Sequence, residues 1–154
     1  MESYETRLMS SEGKIAGPAQ QPKVTSYCDL IVWTRAMDLV EACYKLTELL
    51  PQSEIYGLSS QIRRAAVSIP ANIAEGHGRR NLGEYLQHLS IANGSLKELE
   101  THLLIAGRLN YCAANEIVPT LDTCAEIGRM LSGLIQKLRQ RKFQERSRVL
   151  GGMR

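Results

Sequence analysis

The sequence predicts an all-α protein, an antiparallel up-and-down four-helix bundle. Four stretches place apolar residues at alternating spacings of three and four, the signature of a helix with one buried face. The segments between them are short and carry helix-stopping and helix-starting residues. Hydrophobic residues make up 44% of the chain but aromatics only 5%, so the core is built of Leu, Ile, Val and Ala rather than of a sheet's aromatic and β-branched residues. The 154 residues suit one domain.

Residues 1–27 are polar, interrupted by Gly13, Gly17, Pro18 and Pro22, and read as a loosely ordered segment. The bundle is expected over 28–142. In helix one, Val32, Ala36, Leu39, Cys43, Leu46 and Leu50 form a continuous stripe from Asp29 onward, and Pro51 ends it. Helix two covers Gly57 to about Gly76, a glycine read as the left-handed C-terminal cap, with Pro70 as a kink. Asn81 and Glu84 form a capping box for helix three. Leu82, Leu86, Leu89, Asn93, Leu96, Leu99, Leu103 and Ala106 keep phase through Asn93-Gly94, so one long helix is expected, with Gly94 marking a close helix approach. In helix four, Ile117, Leu121, Cys124, Gly128, Leu131, Ile135 and Leu138 repeat before the helix runs into a basic tail, 143–154.

Composition excludes several classes. No apolar run reaches the ~18 residues that would cross a bilayer, and the first residues, with Glu2 and Glu5, lack a secretory pattern. Cys28, Cys43, Cys112 and Cys124 include no C-x-x-C, which fits reduced thiols in a cytoplasmic protein with no metal or other cofactor. Glu84 with His88 and Glu98 with His102 are four apart, not the three of a di-iron bundle. Both histidines lie off the leucine stripe and read as solvent-facing. Seven residues separate Arg80 from His88, too many for the Arg-to-His spacing of helical-bundle RNases. No residue stands out as a catalyst.

Helix two is the most unusual stretch. At 100° per residue, Leu58, Ile62, Ala65, Ile69 and Ile73 form its core face. Gln61, Arg64, Ser68, Asn72 and Glu75 form a polar stripe beside it, and Ser60, Val67, Ala71 and Ala74 a third sector of small residues. Only Arg63, Ser59 and Pro70 are left for solvent. One bundle buries one face, so the small face predicts a subunit interface, with the polar stripe as an assembly seam paired to other helices or subunits.

The same residues carry a family resemblance. Asp29-Leu30 with Trp33, Tyr56-Gly57-Leu58, Gln61-Ile62-Arg63-Arg64-Ala65, Ser68-Ile69-Pro70-Ala71-Asn72-Ile73-Ala74-Glu75-Gly76 and Arg79 resemble the four-helix-bundle proteins named for reading frames in 23S rRNA intervening sequences. Gly94-Ser95-Leu96, Glu98-Leu99-Glu100 and Glu126-Ile127-Gly128-Arg129-Met130 extend the likeness over about residues 28–139. The resemblance implies a barrel-like homopentamer without catalytic activity. It also implies kinship with the accessory variability determinant (Avd) proteins of diversity-generating retroelements, which bind nucleic acid and associate with a reverse transcriptase.

Charge adds a direction. Lys137, Arg139, Arg141, Lys142, Arg146, Arg148 and Arg154 face one acid, Glu145, over residues 137–154; with the chain at +3, residues 1–136 sum to −3. A basic end on an acidic body favours an anionic partner. The leading expectation is a non-enzymatic oligomer that binds RNA or DNA without sequence preference through Arg63, Arg79, Arg80, Lys137, Arg139, Arg141 and Lys142. The alternative is a protein-binding adaptor, for example for a reverse transcriptase. A nuclease ranks third, since it requires a catalytic constellation assembled across subunits.

Overall fold

Ser26 caps the first described turn. In the computed structural model, which describes residues 24–152, its hydroxyl accepts from the Cys28 N–H, while the Asp29 carboxylate accepts from the backbone of Thr25 and Ser26. Asp29 therefore anchors a 3-10 turn, Tyr27–Asp29, instead of starting helix one. Most of the expected N-terminal segment, and the last two residues, lie outside the described residues.

Four α-helices follow, and no strand occurs among the described residues: α1 (Ile31–Thr47), α2 (Leu58–His77), α3 (Leu82–Arg108) and α4 (Ala114–Gly151). Each packs on its sequence neighbours, and α1 meets α4 to close the bundle. The short connections make consecutive helices antiparallel. One end of the bundle holds the α1–α2 and α3–α4 connections, joined where the Tyr111 hydroxyl donates to Glu54 Oε1 at 3.1 Å. The other Glu54 oxygen accepts from the Leu58 N–H and caps α2. The opposite end holds the 3-10 turn and the α2–α3 connection.

The core follows the sequence stripes. Val32, Ala36, Leu39, Cys43, Leu46 and Leu50 are buried on the α1 side, and Ile62, Ala65, Ile69 and Ile73 on α2. On α3, Leu89, Leu96, Leu99, Leu103 and Ala106 are buried, with Ala92 taking the interior place beside half-buried Asn93. Across the bundle wall, Arg35 clasps Glu126 with two hydrogen bonds, Nη2 to Oε2 at 2.6 Å and Nε to Oε1 at 3.2 Å. That clasp is the main reason the Glu126 carboxyl sits below its ordinary pKa.

Several expectations are corrected. Helix α1 stops at Thr47, three residues before Leu50, and a turn precedes Pro51. Gly76 is not a left-handed cap: α2 continues through His77, and its cap, Gly78, has φ −75°, in the right-handed region. Gly76 is instead a point of close approach to α3, where a Cβ would lie 2.7 Å from His88 Cβ and 2.9 Å from Tyr85 Cδ2. The close approach expected at Gly94 is absent; that residue is exposed with nothing within 4 Å of a Cβ. Ser59 and Pro70, assigned to solvent, are buried; at 100° per residue they fall within about 40° of Arg63, the residue that ties α2 to α1, so the buried arc of α2 extends toward α1 as well as α3. The Asn81 side chain accepts from the Gly83 N–H at 2.6 Å, the N-cap half of the expected box. Helix four, expected to run out into the basic tail of 143–154, continues as α4 through Gly151.

Two glycine substitutions test this geometry by urea denaturation. Gly76→Ala forces the α2–α3 contact apart and loses about 1–3 kcal/mol, as overpacking does. Gly94→Ala, in an open helical position, gains about 0.5–1 kcal/mol. Equal midpoints for the two variants would contradict the packing described.

Candidate nucleic-acid interface

The polar stripe of α2 meets a polar stripe of α3 inside one chain. Ser68 Oγ and Ser95 Oγ lie 2.8 Å apart. Asn72 Nδ2 donates to the Ser68 carbonyl at 2.9 Å and to Ser68 Oγ at 3.1 Å, and Asn72 Oδ1 lies 3.2 Å from His88 Nδ1. The other imidazole nitrogen faces Glu75 Oε1 at 3.8 Å, and Arg79 pairs with that same oxygen. Three of the five predicted seam residues, Ser68, Asn72 and Glu75, thus find partners within the bundle. Gln61 and Arg64 are exposed without a side-chain bond among the described residues. His88, expected in solvent, is a member of the seam with a side chain only 17% exposed. Its position off the leucine stripe hid it; the signal was its pairing with a polar stripe on another helix.

The small face is split. Val67 and Ala71 are exposed, while Ser60 and Ala74 are half-buried. Two side chains at the centre of the α2 surface therefore lack cover within the described chain, fewer than the sector reading implied.

The basic candidates divide by position. Arg63 leaves the set: its Nε donates to Thr47 Oγ1 at 2.9 Å and its guanidinium stacks over the Tyr44 ring at 4.8 Å, so it ties α2 to α1. Arg79 and Arg80 lie in the α2–α3 connection, exposed, with Arg79 held by Glu75 and Arg80 free of side-chain bonds among the described residues. Lys137 and Arg139 are exposed on α4, and Arg141 pairs with Glu145 at 2.9 Å. Lys142 returns to the bundle end, its Nζ beside Gly83 at the start of α3. The fold therefore gathers Arg79, Arg80 and Lys142 at one end, joined by Arg146, which sequence reasoning left unassigned.

Helix α4 makes this end possible. At 38 residues and 1.5 Å per residue it runs about 57 Å, and Leu138 is the last of its residues packed on the core. The remaining turns project past the other helices and carry Arg139, Arg141, Lys142, Arg146 and Arg148 in exposed or half-buried positions. Between the projection and the start of α3 opens a cleft of about 610 Å³, lined by Leu82, Gly83, Lys142, Arg146, Val149 and Leu150, with Glu145 on its edge. The signal for the projection was in the sequence: Lys142, Glu145 and Val149 continue the α4 stripe beyond Leu138 at spacings of four, three and four.

The remaining reactive groups are structural. Burial pushes the Cys43 and Cys124 thiols up to about 12, each in the core, so neither is a thiolate nucleophile near neutrality. His102 lies 3.3 Å from Glu98 through Nε2, and its buried Nδ1 has no hydrogen-bond partner among the described residues. No three His, Cys, Asp or Glu side chains among the described residues gather as a metal would require. Among the same residues, no helix is long and apolar enough to cross a membrane.

Two measurements check this assignment. Asn72→Ala strips partners from Ser68 and His88 and loses about 1–3 kcal/mol, whereas Arg64→Ala changes the stability of the fold by less than about 0.5 kcal/mol. The thiols add a pH dependence. Unfolded chain releases their protons above about pH 8.5, while the folded protein holds them to about 12. Stability from this source is thus intact below the unfolded value and falls as pH rises from there toward 12. Urea midpoints at about pH 7.5 and pH 10, compared for wild type and Cys124→Ala, should show a smaller alkaline loss in the variant.

Comparison with known proteins fits this architecture. A protein of unknown function from the S23 ribosomal protein family of Bacteroides thetaiotaomicron VPI-5482 superposes with a TM-score of 0.64 at 24% identity, over 68% of this chain and 98% of that one. That likeness establishes the fold. A search of curated proteins finds no match. The family described as 23S rRNA-intervening sequence protein matches residues 28–133, through all of α1, α2 and α3 and half of α4. This chain belongs to the 23S rRNA-intervening sequence protein family.

Proposed function

We propose that this protein is a non-catalytic, oligomeric helical bundle that binds the phosphate backbone of RNA or DNA through the end where α4 projects. The observation that carries the reading is the projection itself. A solvated helix bearing Arg139, Arg141, Lys142, Arg146 and Arg148 against the single acid Glu145 leaves the bundle beside the Arg79–Arg80 connection. Cations on two elements at one end form a surface on which a polyanion meets several positive charges at once. The protonated core thiols and bonded histidines support the non-catalytic part of the reading.

Assembly belongs to the same proposal. Exposed Val67 and Ala71, with exposed Gln61 and Arg64 on the same α2 surface, support a contact between copies, and the family resemblance makes a pentamer and Avd kinship the specific expectation. An oligomer repeats the basic end in each copy and multiplies weak backbone binding through avidity.

A second reading has its own support at the opposite end. Leu49, Ile55, Leu109 and the 94%-exposed Tyr56 stand on two connections held together by the Tyr111–Glu54 bond. An apolar patch of this kind favours a protein partner, a reverse transcriptase being the one the resemblance suggests.

Fluorescence anisotropy with labelled RNA at graded salt tests the main reading. Affinity should fall linearly on a log–log plot, and replacing Arg79 and Arg80 together by Gln should flatten the slope by roughly 1.4, about 0.7 for each phosphate on a single strand that is no longer neutralised. Light scattering in parallel reports whether Arg64→Ala lowers the assembly mass. Absence of binding at low salt, with a protein partner recovered after nuclease treatment, would favour the adaptor.

A further inference from the structure

The projection carries more than charge. Phe143, the chain's one phenylalanine, stands 73% exposed in the midst of the arginines, and Leu150 is 72% exposed two turns further on. A solvated helix that served only as a phosphate comb would have no use for either. At 100° per residue, Arg139, Phe143, Arg146 and Leu150 fall within about 60° of arc, one stripe with spacings of four, three and four. Along it, cation, aromatic ring, cation and apolar side chain alternate at about 4.5–6 Å intervals.

We infer that this stripe is a binding site for single-stranded nucleic acid, in which Phe143 stacks on a base while Arg139 and Arg146 hold the flanking phosphates. The inference rests on the nucleic-acid reading above and narrows it to one form of ligand. Three features favour an unpaired strand as the occupant. The surface is strongly basic, with Glu145 already engaged by Arg141, so its charge complements a polyanion and repels a second copy of itself. An exposed phenyl ring finds a π-face on an unpaired base, whereas in a duplex those faces are stacked on one another. The cleft of about 610 Å³ beside the stripe shares Arg146 and Leu150 with it and is lined also by Leu82, Val149, Lys142 and Glu145, room for a neighbouring base to turn inward.

The test compares an unstructured RNA of about 20 nucleotides with a duplex of the same length and backbone, by anisotropy on the full-length protein. Phe143→Ala should weaken single-strand binding about five- to one-hundredfold, as removal of one stacking ring does, and leave duplex binding unchanged. It should also leave the salt slope unchanged, since the ring neutralises no phosphate. Phe143→Trp should preserve single-strand affinity, and its added fluorescence should be quenched by the RNA. Arg139→Gln and Arg146→Gln should each lower the slope by about 0.7. The inference is overturned if Phe143→Ala leaves single-strand binding intact or weakens both ligands equally; in that case the backbone-binding reading stands without it. Failure of the wild-type protein to bind either ligand overturns both. Because Phe143 lies outside the core, circular dichroism of the variant should match wild type.

Discussion

The close approach of α2 and α3 is the constraint on which the rest of the bundle depends. At Gly76 there is no room for a Cβ between α2 and the His88 and Tyr85 side chains, and nearer the middle the two helices meet through serine hydroxyls, Ser68 against Ser95. Axis separation follows the size of the side chains at the contact, so the small residues of α2 are there to bring it in. Ala65 and Gly76 lie buried on the flank of α2 that Ser68 and Asn72 present to α3. Close approach carries polar groups inside with it, and each would lose about 1–3 kcal/mol if left unpaired. Asn72 solves that problem, since one amide reaches the Ser68 carbonyl and hydroxyl with its nitrogen and the His88 ring with its oxygen.

This pairing changes what the composition of α2 means. Small and polar residues over most of a helix read as two buried faces, one of them between subunits. The bundle accounts for much of that pattern by itself, through a wide contact with α3. What it leaves unexplained is confined to Val67, Ala71, Gln61 and Arg64 on the outer surface. The proposed assembly contact therefore has a narrower set of unpartnered residues to use, while Glu75, paired with Arg79, links the seam to the basic end.

What was legible in the sequence depended on whether the reason for a residue lay within its own helix. The stripe of α1 was legible because its spacing alone places it inside; α4 buries Ile117, Cys124 and Leu131 of its stripe, leaves Leu121, Gly128, Ile135 and Leu138 half-buried and takes in Ile127 beside them, and α3 runs through Asn93-Gly94 because Ala92 and Leu96 keep the interior face supplied. Gly76 was misread because a glycine satisfies either a left-handed cap or a missing side chain, and only a neighbour twelve residues on, His88, decides between them. Arg63 looked free for the same reason: Tyr44 and Thr47, its partners, sit on another helix. The basic end was half legible. Its charges were plain and the α4 stripe runs on past Leu138 through Lys142, Glu145 and Val149, but that this length stands beside the α2–α3 connection depends on where α3 begins, which the pattern of α4 alone does not state.

That length also sets the energetics of the projecting turns. A helix of about a dozen residues is marginal alone, because nucleation is unfavourable, but these turns propagate from a helix already fixed by the core. They carry a penalty nonetheless. Arg139 with Lys142, and Lys142 with Arg146, are like charges at three and four residues' separation, a spacing that destabilises a helix by about 0.2–0.5 kcal/mol per pair. The exposed Arg141–Glu145 pair acts in the opposite direction, by a similar amount for one pair. A strand laid along the proposed stripe removes this repulsion in the same step that it binds. Order in the projection and affinity for the strand are then two views of one linked free energy. Charge is concentrated where the helix is least supported, and an anion bound along the proposed stripe would supply that support.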